Sequence, residues 1–309
     1  MLFRMNLPKK IVGWSAIKPG AILEERDFPF PEIGFEDVAI EILHCGVCHS
    51  DVHLIHNDWK ISQYPLVPGH EIMGRVIALG NRVSHLQVGD IVGVGWQSSS
   101  CGHCQDCISG NENFCEAQGA TCNGHIGGYA DYHVTNAKFC FRLPKELAQP
   151  EAAPLFCGGI TVYSPLCEFL PRKDSRVGIF GLGGLGHLAL KFSLAMGHEV
   201  SIFSHTPSKE KEARDLGAHQ FFTEKPDSLL PKIDRHFDLL LVTANVDLPY
   251  TEYLRALRPN GTLCFVGIPP SPLTIPVGAL LGRRLRVSAS PIGAPARIHE
   301  MLDFAKVHG

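Results

Sequence analysis

The sequence predicts an α/β protein in two domains: an irregular, β-rich first part and a doubly wound parallel sheet in the second. Three observations predict it. The chain has 309 residues, room for about two domains. Up to about residue 155, short β-like runs are broken by Gly, Pro, Asn and Asp. Beyond it, apolar runs alternate with helical stretches, the pattern of βαβ units.

In the first part the strand-like runs are Val38–Leu43, Gly74–Leu79, Asp90–Val94 and Tyr129–Val134. Their spacing suggests a largely antiparallel arrangement. In the second part Arg176–Phe180 reads as a strand and Gly184–Met196 as a helix. Glu199–Ser204 (strand) and Ser208–Leu216 (helix) follow. Phe237–Ala244 and Gly261–Ile268 are buried strands, with a helix at Tyr250–Leu257 between them, and Leu285–Ser290 closes the series. There is no internal repeat and no low-complexity segment.

A formal net charge of -3 is too weak to argue for nucleic acid or an anionic membrane as partner. No apolar run approaches the ~20 residues that span a bilayer. The opening MLFRMNLPKK has no apolar leader core, which points to the cytoplasm. In that reducing compartment the 11 cysteines are not expected to form a disulfide framework, and clustered ones more often bind metal.

Four cysteines fall in the segment CGHCQDCISGNENFC: Cys101, Cys104, Cys107 and Cys115. Tetrahedral zinc accepts four thiolates, and such spacing lets a turning loop wrap one ion. A site closed by four protein ligands has no place for a substrate, so this zinc staples a loop. The alternative is a group of free thiols. Zinc chemistry needs a second site, with about three protein ligands and one open position. CGVCHSDVH, PGHE and LFCGG each carry a suitable donor, and Cys48, His70 and Cys157 would make a Cys2His set. Taken singly, His70 is as well read as a hydrogen-bonded core residue and Cys157 as a small buried hydrophobe.

GLGGLG, Gly181–Gly186, follows one predicted strand and opens a predicted helix. In that context it is a dinucleotide-binding turn of the Rossmann type. Gly181 and Gly183 permit the tight turn and close approach of a pyrophosphate, and Gly186 permits helix–sheet packing. The first amides of the helix, at Gly184 and Leu185, face the phosphates. An NAD site usually has an acid at the end of the second strand. Here Ser204, His205 and Thr206 stand there, followed by Lys209, which favours the 2'-phosphate of NADP(H). These residues also suit a plain helix start capped by Thr206 or Ser208.

GVCHSD, VPGHE, CGHCQDC and GLGGLG occur in the order found in zinc-dependent medium-chain alcohol dehydrogenases. The wider strings QYPLVPGHE and AAPLFCGGITVYSPL resemble the branch of cinnamyl alcohol dehydrogenases and bacterial NADP-dependent aldehyde reductases. The resemblance spans nearly the whole chain. It implies a GroES-like catalytic domain over residues 1–155, with 293–309 returning to it, and a Rossmann domain over 156–292. It implies two zinc ions per chain and NADP(H).

The resemblance assigns catalytic zinc to Cys48 (rather than Cys45), His70 and Cys157, and structural zinc to Cys101, Cys104, Cys107 and Cys115. Glu71 would swing toward the zinc during water exchange. Asp51 would orient the ligand histidine. Ser50 would pass the substrate's proton by way of the nicotinamide ribose to His53. Thr161, Val246, Ile268 and Ser290 would lie near the nicotinamide. Trp59 and Trp96 would line the substrate pocket, although each also suits ordinary core. The expected partner is an aromatic or medium-chain aldehyde or primary alcohol, with hydride transfer to or from NADP(H). A homodimer would pair the last strands near Leu285–Ser290. The family pattern continues beyond MLDFAKVHG, where this sequence stops. Rival readings are a zinc-stabilised NADP-binding protein without catalysis and a polyol dehydrogenase, whose third zinc ligand commonly differs from Cys157.

Overall fold

The computed structural model describes residues 7–170, 172–223 and 225–309. The first six residues of the stretch read as lacking a leader lie outside them. Two compact units divide the chain: Met1–Ile160 with Gly293–Gly309, and Thr161–Ile292.

The first unit is organised on antiparallel strands. β1 (Lys10–Ser15) pairs with β2 (Glu24–Pro29). β3 (Asp37–Cys45), β4 (Ile72–Leu79) and β5 (Ile91–Val94) lead to a small ribbon of β6 (Gln97–Ser99) and β7 (Gly119–Ala120). β8 (Tyr132–Asn136) and β9 (Cys140–Arg142) complete the main sheet, in the order β8-β3-β4-β5-β9. Val38, Ile40, Ile72, Val76, Val92 and Val94 fill its core, and Ala39 and Met73 between them are buried as well, so both faces of these strands are covered there. Helix α1 (His49–His56) follows β3, and α2 (Gln105–Ile108) lies in the cysteine lobe. The sequence-based strand Tyr129–Val134 begins three residues late, because Tyr129 N–H is taken by Pro68 O (2.9 Å) rather than by a sheet neighbour.

Phe156 shows how local sequence places a distant residue. It is fully buried, and its ring occupies the space that a side chain at Gly93 would need. Its carbonyl likewise occupies the side-chain position of Gly95. The two glycines let the segment before Cys157 press against β5, where Phe141 stacks on Phe156 at 6.1 Å.

α3 (Gly158–Phe169) carries the chain across the division between units. Among the described residues the second unit holds a parallel sheet of six strands: β10 (Arg176–Phe180), β11 (Glu199–Phe203), β12 (Gln220–Phe222), β13 (Phe237–Val242), β14 (Leu257–Phe265) and β15 (Arg286–Ala289). Their order is β12-β11-β10-β13-β14-β15, that of a dinucleotide-binding sheet. Helices α4 (Gly184–Ala195), α5 (Glu210–Asp215), α6 (Pro226–Leu229), α7 (Tyr250–Tyr253) and α8 (Val277–Leu281) accompany it. Phe180, Phe203, Phe237, Tyr250 and Tyr253 knit its core, with Phe180 and Phe203 stacked at 4.5 Å. α9 (Pro295–His308) belongs to the first unit.

Three sequence expectations are corrected. Ser208–Leu216 is a 3-10 turn at Pro207–Lys209 followed by α5, since proline opens the segment. The predicted helix over Tyr250–Leu257 becomes 3-10 from Leu254, and β14 starts at Leu257 rather than Gly261. β12, at the sheet edge, is absent from the sequence reading: QFF is too short to show a period.

Candidate active site

β3 ends at Cys45 and β4 begins at Ile72, and these two residues are antiparallel partners. The chain leaving β3 turns through Gly46 and Val47 into α1, whose N-terminal cap is Cys48. The chain entering β4 carries His70 and Glu71. Sheet pairing therefore delivers Cys48 and His70 to one place, and the Phe156 wedge delivers Cys157.

The Cys48 and Cys157 sulfurs are 3.9 Å apart, and His70 Nε2 is 3.2 Å from the Cys157 sulfur. Tetrahedral zinc with bonds of about 2.3 Å to sulfur and 2.0 Å to nitrogen places two such sulfurs about 3.8 Å apart and a sulfur–nitrogen pair about 3.5 Å apart. The donor set thus fits zinc. Glu71 joins the same cluster, all of whose donor atoms lie within 4.8 Å. Its carboxylate lies where a side chain at Gly46 would stand, so that glycine makes room for it.

Asp51 orients the histidine. It is 1% exposed, and its Oδ1 accepts from His70 Nδ1 and Gly69 N, both at 2.9 Å. Its Oδ2 accepts from Cys48 N at 3.1 Å and from the Tyr129 hydroxyl at 3.4 Å. With Nδ1 so bound, Nε2 is the nitrogen left to face the sulfurs. Gly69 holds φ +100°, and a side chain there would strike Tyr129, so both the conformation and the space require glycine.

The electrostatics match a metal centre. The Cys48 thiol is lowered to about 4 by hydrogen bonding with Cys157, helped by His70 and opposed by burial. Cys157 is pushed well up by that same contact and by burial. Burial works against charge on His70, yet Cys157 and Asp51 hold its pKa well above the imidazole value. Glu71 is raised to about 7 by burial and by the Cys48 thiolate. A cation placed among these groups would hold both sulfurs deprotonated.

The four lobe cysteines also converge within 4.8 Å. The Cys101 and Cys107 sulfurs are 3.9 Å apart, again a tetrahedral edge for zinc of about 3.8 Å. Cys104 N and Cys107 N donate to the sulfurs of Cys101 and Cys104 at 3.3 and 3.5 Å. Cys101 is lowered to about 6 by backbone N–H groups of His103 and Cys104.

Ser50 sits in the first turn of α1, half-buried, and His53 lies one turn further along. Trp59 and Trp96 meet at 6.0 Å, and Trp96 stands edge-on to His70 at 5.1 Å. Both pack on Leu54, Leu66 and Cys122. They form an apolar wall joined to the metal-ligand set.

In the second unit every expected nucleotide contact except Thr161 follows the carboxyl end of a parallel strand. Gly181 (φ +97°) follows β10, Ser204 follows β11, Val246 follows β13, Ile268 follows β14 and Ser290 follows β15. A side chain at Gly186 would strike the Gly181 carbonyl, whereas side chains at Gly183 and Gly184 would meet nothing. That open cradle above the helix start fits a pyrophosphate. Lys209 Nζ donates to Leu182 O at 2.5 Å, which ties the Ser204–Lys209 segment to the glycine turn. Ser204 Oγ accepts from Thr206 N (3.2 Å), and His205 is exposed. Val246 and Ile268 are exposed as well, and Thr161 is buried in α3.

Sequence reasoning missed Tyr129, which closes the cage around Asp51, and Asp58, which contacts His53. Tyr129 carried a signal in the paired glycines before it. Asp58 follows α1, a helix the sequence reading did not contain.

A cysteine-rich lobe, a Cys2His cluster with an oriented histidine, and a nucleotide-type sheet together define a zinc-dependent dehydrogenase. The chain belongs to that family: residues 34–145 match the alcohol dehydrogenase GroES-like domain and residues 184–306 the zinc-binding dehydrogenase domain. Within it, the chain belongs to the cinnamyl-alcohol-dehydrogenase-like branch. It is 41% identical to aldehyde reductase AdhA of Synechocystis sp., over 96% of this chain and 89% of that one. A probable mannitol dehydrogenase of Fragaria ananassa is 41% identical over 97% of this chain and 86% of its own. The structure of CAD from Helicobacter pylori complexed with NADP(H) superposes with a TM-score of 0.89 at 34% identity, covering 98% of this chain and 89% of that one.

Proposed function

We propose that the protein is an NADP(H)-dependent zinc alcohol dehydrogenase that interconverts aromatic or medium-chain aldehydes and primary alcohols. The observation that carries this reading is the Cys48–His70–Cys157 cluster, whose spacings fit zinc and whose fourth neighbour is the Glu71 carboxylate rather than a further cysteine or histidine. When bound, zinc supplies a Lewis acid for the substrate oxygen and NADP(H) supplies or takes the hydride. Asp51 fixes the His70 tautomer. Ser50, two residues from Cys48, is placed to exchange a proton with a substrate oxygen, and His53 holds that proton on its way to water. Trp59 and Trp96 offer a flat apolar wall with no charged anchor, which suits a neutral aldehyde. Ser204, Thr206 and Lys209 recognise the 2'-phosphate, and the segment carries no acid to repel it. A homodimer formed along the β15 edge is the assembly we propose. The free thiols support the cytoplasm as its compartment. Among the described residues no helix is long and apolar enough to cross a membrane.

The test is NADPH consumption by the zinc-loaded protein with cinnamaldehyde, benzaldehyde and hexanal, against NADH in parallel. Turnover with NADPH well above NADH is expected. No turnover in folded protein holding zinc at both sites would move the reading to a binding protein. Ser50→Ala should cripple turnover with zinc content intact.

A further inference from the structure

We propose that His49 and His53 form a third metal site, an inhibitory one, which takes up zinc reversibly once zinc exceeds what the two cysteine centres hold.

The two residues stand four apart on α1, the spacing that sets two imidazoles side by side on one helix face. Their ring centroids are 4.7 Å apart. With zinc–nitrogen bonds of about 2.05 Å, a ring centroid lies about 3.2 Å from the metal. Two rings sharing one ion are then about 4.5 Å apart at a right angle and about 5.2 Å apart at the tetrahedral angle. The observed separation falls between these limits. Ring rotation, with no movement of the helix, is therefore enough for both imidazoles to reach one ion.

Each ring has a donor atom to give. His53 Nδ1 donates to Asp58 Oδ2 at 2.7 Å, which leaves the lone pair on Nε2. A carboxylate behind a ligand histidine orients the ring and raises its basicity. Asp58 thus repeats for His53 what Asp51 does for His70. It is held there by the end of α1, where Asn57 takes the left-handed conformation (φ 57°, ψ 36°). Asp58 N then donates to His53 O at 3.0 Å, so the carboxylate is tied through its own backbone to the residue it orients. Trp59 lies against the same ring at 5.1 Å. The His49 ring is exposed, and among the described residues its nitrogens have no hydrogen-bond partner.

The donors define the class of ion. Neutral imidazoles suit zinc, copper and nickel, and offer nothing to magnesium or calcium, which take oxygen. With two protein ligands instead of the larger sets of the cysteine centres, this site fills last and empties first. Binding is coordination alone: each imidazole donates one lone pair, His53 Nδ1 keeps its proton, and no electrons are transferred. The Nε2 lone pair is then closed to a proton. Excess zinc should therefore inhibit turnover, a consequence that rests on the role given to His53 above.

The deciding measurement is equilibrium dialysis against free zinc, with full-length protein already holding zinc at both cysteine centres. Wild type is expected to take up a third zinc. His49→Gln and His53→Gln should each weaken that uptake at least about tenfold, and Asp58→Ala about tenfold. Metal analysis should find the other two zinc ions retained in every variant. No third zinc in wild type, or uptake unchanged in His49→Gln, overturns the proposal. Turnover gives the second arm. Aldehyde reduction should fall over the same zinc concentrations that fill the third site. The zinc needed for half inhibition should rise in His49→Gln by the factor its binding weakens. Half inhibition of His49→Gln at the wild-type zinc concentration places the inhibiting ion elsewhere and overturns the proposal. Wild type inert toward every aldehyde refutes the proposed function instead, and dialysis still reads the third zinc.

Discussion

Asp51→Asn isolates the work of one buried carboxylate. Its four acceptor contacts are His70 Nδ1 and Gly69 N on Oδ1, and Cys48 N and Tyr129 Oη on Oδ2. An amide offers one oxygen. If that oxygen stays with His70 and Gly69, the amide nitrogen confronts Cys48 N–H, a donor against a donor. The Tyr129 hydroxyl can rotate and accept instead. The net loss is one half-buried backbone N–H without its partner, a folding cost of about 1 kcal/mol. It falls on the residue whose sulfur binds the metal. Loss of the carboxylate that orients a ligand histidine typically costs a metal site about 10–100-fold in affinity, so zinc here should bind more weakly by that factor. Competition with a chromogenic chelator would measure it, because two classes of zinc should resolve. The lobe of Cys101, Cys104, Cys107 and Cys115 shares no ligand with Asp51, so its zinc should be held as before. Equal weakening of both classes, or of neither, would refute the reasoning.

Other outcomes follow from the same geometry. Cys107→Ala should halve the zinc content of the purified protein and lower its melting temperature while leaving the Cys48 site loaded, as metal analysis would report. Gly183→Ala should keep stability within about 0.5 kcal/mol but weaken NADPH binding, since its new methyl meets only the open cradle. Gly186→Ala should cost about 1–3 kcal/mol in urea unfolding, because its methyl strikes the Gly181 carbonyl. His133 is lowered to about 4 by burial, against an ordinary 6.5, while its Nδ1 donates to Ile126 O. Both folded and unfolded forms are neutral above pH 6.5, and only the unfolded chain takes a proton between 6.5 and 4. Stability is therefore lost as pH falls through that window, by about 2 kcal/mol between pH 7 and 5. His133→Gln, compared with wild type by urea midpoint at each pH, should lose less.

The sequence made the second unit legible because buried parallel strands such as Phe237–Val242 are continuous apolar runs between glycine-rich turns. The lobe cysteines were legible for a related reason: all four ligands lie in one short segment, so spacing alone describes the site. The Cys48–His70–Cys157 cluster was not. It exists only because β3 pairs with β4 and Phe156 wedges against Gly93, relations between segments far apart in the chain. Resemblance supplied those residues where periodicity had nothing to say. Tyr129 and Asp58 escaped because each acts by a single contact whose direction is set by a turn. β12 escaped because three residues of strand need their neighbour, β11, to be recognised at all.

The two metal clusters differ in when they can form. In the lobe, Cys101 and Cys115 are 14 residues apart, whereas Cys48 and Cys157 are separated by 109. Closing the longer loop costs about 2 kcal/mol more in chain entropy, before any zinc–ligand bond is made. All four lobe ligands emerge from the ribosome almost together, and the last of the Cys2His set emerges 42 residues after Cys115. A nascent chain can thus capture its first zinc as a local knot while the second centre has no third ligand. The lobe is then the first centre to be filled, and the Cys48–His70–Cys157 centre is the later, separately filled one. When zinc is scarce, the expected product is a folded protein carrying one ion and no activity.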